Sequence, residues 1–270
     1  MTDQLQHQNS AGCDEATLPV EFIAVCVLVF AVGVAATIYF CRTMGVGMHM
    51  PGSWTMSMMW MRMPGQTWAG AFAMFLMMWL AMMVAMMLPS TLPMLLSYRR
   101  ALRTDGETRL GLPTALMAGG YFAVWTAIGG LIYPVGVTVA WAAMRWPGVS
   151  SAMPTAAGAA MVIAGFMQFT SWKMAGLCSC RDPRACAARA CGGRWNAWRG
   201  GRRQGVNCAI CCSGLMLAML VLGAMDVTVM VVVAMVIALE KIMSRPEWVI
   251  RISGAAAVAL GTAMIVRALH

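Results

Sequence analysis

Charge is what this chain has least of. Only 11% of its 270 residues are Asp, Glu, Lys or Arg, where a soluble domain carries about a quarter. That shortage argues against a water-soluble globular fold. Acids are scarcer than bases, at 10 against 19, and no pair of carboxylates lies deep in an apolar run. The chain also lacks HExxH, GxSxG and a Walker glycine loop, so it offers no recognisable catalytic centre. A cleavable signal peptide is not expected either. The opening MTDQLQHQNSAGCDEATLPVE is polar and acidic rather than basic, and the first apolar run is too long for a signal core.

What is present is hydrocarbon. Hydrophobic residues make up 60% of the chain and the mean hydropathy is +0.72, with runs matching the roughly 20 residues that a bilayer crossing needs. The expected fold is all-α, a polytopic transmembrane helix bundle occupying 18–268 behind a polar segment at 1–17. Spans are read at 18–41, 68–96, 113–135, 152–175 and 248–268, the second to the fourth with the small-residue spacing that lets helices approach in lipid. Between 208 and 243 the sequence is apolar for 36 residues, too long for one ~30 Å crossing at ~1.5 Å per residue. A turn at Gly223-Ala224-Met225-Asp226 splits it, giving seven spans; a single helix there would give six.

The net charge of +9 would suggest nucleic acid in a soluble protein. Here it falls in loops, and the positive-inside rule accounts for it without such a partner. Arg99, Arg100, Arg103 and Arg109 follow the second span. Arg181, Arg184, Arg189, Arg194, Arg199, Arg202 and Arg203 face only Asp182 after the fourth, and Lys241 and Arg245 follow the sixth. These loops share the cytoplasmic side of a bacterial inner membrane. The N-terminus is then cytoplasmic, loop 43–67 is external and loop 177–207 is internal.

Loop 43–67 carries eight methionines and His49. Thioether sulfur prefers Cu(I) or Ag(I) to Zn or Mg, and Met48, His49 and Met50 bring two thioethers and an imidazole into three residues. The second span continues the theme in FAMFLMMWLAMMVAMMLP (72–89). There Met74, Met78, Met82 and Met86 stand four apart, one face of a helix about 18 Å long. The pattern reads either as a ladder for a soft monovalent ion or as packing by a flexible side chain.

Ten cysteines are unevenly spread. Cys13, Cys26 and Cys41 are scattered and read as structural. Cys178, Cys180, Cys186 and Cys191 lie in the basic loop, and Cys208, Cys211 and Cys212 open the fifth span. A cytoplasmic thiol cluster suits metal ligation or thiol exchange better than a lasting disulfide. Since Cys211 and Cys212 are adjacent, a tetrahedral site would draw a further ligand from the loop, with Cys180 the candidate. Copper is the expected ion overall, with zinc the alternative at the cysteines.

Polar residues in apolar helices are the remaining functional candidates. Gln168 and Thr170 sit near the inner end of the fourth span, and Lys173 reads as snorkelling. Asp226 reads as a helix cap, and Glu240-Lys241 as a local ion pair.

Six segments taken together resemble a known family: AMMLP (85–89), GFMQFTSWK (165–173), CRDP (180–183), CAICCSGLM (208–216), GAMD (223–226) and LEK (239–241). They are similar to the bacterial membrane proteins of the DUF2182 class, described as metal-binding, over roughly 75–243. The resemblance implies roles for Gln168, Thr170, Lys173, Cys180, Cys208, Cys211 and Cys212. It also implies a cysteine at 176, where this chain has Gly176 and then Cys178. Ser213 replaces an aromatic, Met167 a Tyr, and Asp226 an Asn. The reading that follows is a membrane protein handling Cu(I) and serving a membrane metalloenzyme or copper chaperone. Two alternatives are an accessory subunit of a membrane complex and a thiol-disulfide oxidoreductase.

Overall fold

A computed structural model of the chain describes residues 20–44, 47–50, 54–104, 110–181, 193–243 and 246–269. Cys13, Cys186, Cys191, Asp182, Arg109, Arg184, Arg189, Arg245 and the segment 1–17 lie outside these. Among the described residues eight α-helices follow in order: α1 (Val20–Met44), α2 (Trp68–Thr104), α3 (Gly111–Arg145), α4 (Pro147–Met167), α5 (Ser171–Arg181), α6 (Arg194–Gly223), α7 (Val227–Ile242) and α8 (Pro246–Leu269). Among the described residues six of these, α1 to α4, α6 and α8, are long and apolar enough to cross a membrane. The fold is the all-α polytopic bundle that the hydropathy implies.

Burial ranks the helices. Half of the most apolar stretch of α2 and of α6 is inside the bundle, far more than in α1, α3 or α8. α2 packs on α1, α3 and α7, while α6 packs on α3, α4, α5 and α7. These two helices are the core around which the lipid-facing ones are arranged.

The apolar run 208–243 does break at 223–226. Gly223 adopts φ +121°, a conformation glycine takes without a Cβ penalty. The Asp226 carboxylate then accepts from Thr228 N at 2.7 Å and Val229 N at 3.3 Å, capping α7. α7 is only 16 residues, about 24 Å at 1.5 Å per residue. It therefore returns along α6 as a shorter leg than a full span.

The fourth span was expected to run to 175, but α4 stops at Met167. Its backbone tightens there to three-residue spacing, with Gln168 N on Gly165 O, Phe169 N on Phe166 O and Thr170 N on Met167 O. The Thr170 hydroxyl donates to Met167 O at 2.7 Å, satisfying a carbonyl the ended helix leaves open. The separate helix α5 then begins. Helix also extends into both flanks of the expected loop 177–207. Similarly, Arg99, Arg100 and Arg103 lie on the last turns of α2 rather than in a loop.

The expected loop 43–67 is structured. β1 (Gly47–Met50) and β2 (Trp54–Ser57) pair antiparallel, followed by a 3-10 turn at Met58–Trp60. Trp54 Nε1 donates to Ser150 O at 3.0 Å, fixing the hairpin on the start of α4. Met50 and Met56 are buried with Ala140 and Ala143 of α3.

α4 and α8 run antiparallel along a glycine seam. A Cβ on Gly261 would stand 2.7 Å from Gly158 O, and one on Gly165 would stand 2.8 Å from Gly254 O. Both distances are closer than real carbons tolerate. The backbones meet where lipid offers no hydrophobic drive and close packing must supply the attraction.

Candidate metal centre

α6 presents Cys208, Cys211 and Cys212 at positions i, i+3 and i+4, which share one helix face. All three are buried. Adjacency was expected to keep Cys211 and Cys212 apart, yet their sulfurs lie 3.6 Å from each other. Cys212 Sγ is 3.8 Å from Cys208 Sγ. α5 packs across this face and adds Cys180, whose sulfur is 3.9 Å from Cys211 Sγ. The sulfurs of Cys180, Cys208 and Cys211 all lie within 4.8 Å of one another.

That spacing fits a metal. Ligand sulfurs at about 2.3 Å from one ion stand roughly 4 Å apart. The donors are all soft, which favours soft ions over hard ones; Cys212 lies near Cys208 and Cys211 but outside the three-sulfur group. The described cysteines are all free thiols. The Cys180 thiol is held above its ordinary range, chiefly by its hydrogen bond to Cys208 and further by burial. A metal entering here displaces that proton.

Two donors converge on Cys208 from other helices. The Tyr121 hydroxyl of α3 donates to its sulfur at 3.0 Å. The Lys241 ammonium of α7 donates to it at 3.2 Å and to Ser90 Oγ of α2 at 3.0 Å. An ammonium and a phenol on one sulfur suit a thiolate and fix its orientation.

A second buried network lies beside the first. Lys173 Nζ donates to both Glu240 oxygens at 2.8 Å, and the pair is only 3% exposed at either end. Lys173 also donates to Gln168 Oε1. The Gln168 amide reaches Ser253 Oγ of α8 at 3.1 Å and Glu240 at 3.4 Å. Lys173 therefore does not snorkel: its partner is Glu240, and burying the charge requires one. Glu240 and Lys241 are not a pair with each other, since each is engaged elsewhere. Thr170 caps α4 and Asp226 caps α7, and neither joins the thiol cluster.

Cys178 is exposed and does not stand in for a cysteine at 176. Gly176 lies against α6, where an added Cβ would be 3.4 Å from the Cβ of Cys211. The methionine row faces inward: Met78, Met82 and Met86 are buried in the same apolar core as Cys208, Cys211 and Cys212, and Met74 is half-buried. The triplet 48–50 is parted by its strand. Successive side chains point to opposite faces, so His49, paired with Thr55, turns away from Met48 and Met50. Met48 and His49 are exposed and Met50 is buried.

Tyr121, Ser90 and Ser253 were not legible as site residues. Nothing in the local sequence marks any of them, and only a partner from another helix gives each a role.

Six potential membrane crossings among the described residues, around a buried cluster of thiols able to coordinate a metal, define a polytopic membrane protein of the metal-handling kind. The chain belongs to the PpoB2 family, described as copper chaperone, whose model matches residues 76–264. That description is of a carrier and not of a catalyst. The match takes in every residue of both polar networks and leaves out α1 and the hairpin. No curated protein and no solved structure matches the chain.

Proposed function

We propose that this chain binds Cu(I) through Cys180, Cys208 and Cys211 and hands it to a membrane-bound acceptor, a metalloenzyme or a second copper carrier. The observation that carries this reading is the convergence of three soft ligands from two helices, with two donors orienting one of them. Three thiolates suffice for Cu(I), and a site short of four ligands leaves a position for an incoming ligand of the acceptor. The DUF2182-like segments include these cysteines, and the family description, copper chaperone, agrees with the choice of ion. In this reading the protein sits in a bacterial inner membrane with the thiol end cytoplasmic and the hairpin external, as the arginine distribution favours.

The test is metal content. Purified anaerobically in detergent, the protein should bind Cu(I) in competition with a colorimetric chelator, and Cys180→Ser, Cys208→Ser and Cys211→Ser should each abolish that competition. Retention of zinc that depends on Cys212 as well would favour a closed four-sulfur structural site instead. Ready oxidation to a reversible disulfide with no metal affinity would favour the oxidoreductase. Neither metal nor redox behaviour would leave the accessory subunit.

A further inference from the structure

Below the hairpin, at the end of the bundle away from the cysteines, is a small cavity that the thiol site does not use. It is lined by Met58, Met59, Met61, Met63, Met74 and Met78. Four of these come from the segment after β2 and two from the first turns of α2, so that segment and the helix form its walls. Its volume is about 20 Å³, the room of one water or one ion.

The chemistry of the lining narrows the occupant. Its polar member is Gln66, whose Oε1 already accepts from Met63 N at 3.3 Å. No carboxylate, imidazole or thiol lines the space. Arg62 is next to it in sequence, but its guanidinium stacks over the Trp68 ring at 5.2 Å. Six methionine side chains border this space, and neutral thioethers disfavour hard cations and zinc, which need charged or harder donors, while they suit Cu(I) or Ag(I). Neutral ligands also keep the ion monovalent and loosely held.

The geometry points to this cavity as a second metal site, a thioether site for a soft monovalent cation. It lies some distance from the first. Met78 and Ser90 are twelve residues apart on α2, about 18 Å along the axis, and Ser90 marks the level of the thiols through Lys241. Met82 and Met86 lie between, buried on the same helix face. The purpose of the site, loading the thiol centre from the other end, rests on the reading of the chain as a copper carrier. Its existence does not.

Ag(I) is the probe, because it mimics Cu(I) without redox chemistry. Silver bound per chain is measured by equilibrium dialysis of the full-length protein in detergent, and again after Met61, Met63, Met74 and Met78 are together changed to Leu, a volume-conserving exchange. The expected result is loss of one silver ion per chain, with the cysteine-bound ion retained. In parallel, peptide mass spectrometry reads methionine sulfoxide after brief peroxide treatment. Silver should protect Met61, Met63 and Met74 but not Met48 or Met144, both exposed and outside the cavity. Unchanged stoichiometry in the leucine variant, or equal oxidation with and without silver, overturns the proposal. The cysteine variants fail or succeed separately, since they remove a different ion.

Discussion

Glu240 and Lys241 are neighbours in sequence and serve different networks: the Glu240 carboxylate holds Lys173, 2.8 Å away, while the Lys241 ammonium reaches Cys208 at 3.2 Å. A helix turns about 100° per residue, so one step along α7 carries a charge from the α4–α5–α8 side to the α6 side. The rotation of α7 thus sets both contacts at once. Locking Glu240 onto Lys173 aims Lys241 at the sulfur.

Removing one member of the buried pair should be costly, about 3–5 kcal/mol, because the other charge is left stranded. Glu240→Gln and Lys173→Met should each lower the melting temperature of the detergent-solubilised protein. The double variant Lys173→Met/Glu240→Met should recover part of the loss. A double variant as unstable as the sum of the two singles would show that the two charges do not act on each other.

Lys241→Leu leaves every sulfur in place, adds none, and removes one donor from Cys208. Loss of an orienting partner of this kind typically weakens metal affinity about 10–100-fold. The same direction holds for Tyr121→Phe. Chelator competition titrations check both, and an unchanged Kd would separate these residues from the metal centre.

Cys178→Ser and Cys41→Ser should bind metal as the parent does, since neither thiol belongs to the cluster. Cys212→Ser discriminates between ions. It should leave Cu(I) binding by three sulfurs largely intact and weaken zinc, which takes four ligands. Parallel titrations with the two metals read the difference directly.

Gly261→Val should prevent α4 and α8 from meeting. The space an added Cβ would fill already holds Gly158 O at 2.7 Å, so the helices must part along the seam. Size-exclusion profiles should show loss of the monodisperse folded species, whereas Gly148→Ala, with nothing within 4 Å, should be silent.

The spans were legible because hydrocarbon thickness imposes a length that composition reveals without any partner. The turn at Gly223 to Asp226 was legible for the same reason, as a run too long to cross once. The Met-rich segment was not read as a hairpin, because its apolar residues show no clean alternation and its stability comes from docking on α3 and α4. Lys173 illustrates the other limit. Its partner lies 67 residues away, and a lone lysine near a helix end carries no mark of whether it snorkels or is paired. Cys208 and Cys211 could be singled out by spacing, but Tyr121 and Lys241 become ligand-orienting groups only once four helices have packed.

Cys180 reaches the cluster on α5, a helix joined to α4 by the short turn at 168–170, while Cys208 and Cys211 stand on α6. An ion bound by all three sulfurs would therefore be a second bolt on α5, added to the Lys173–Glu240 pair that already holds this helix to α7.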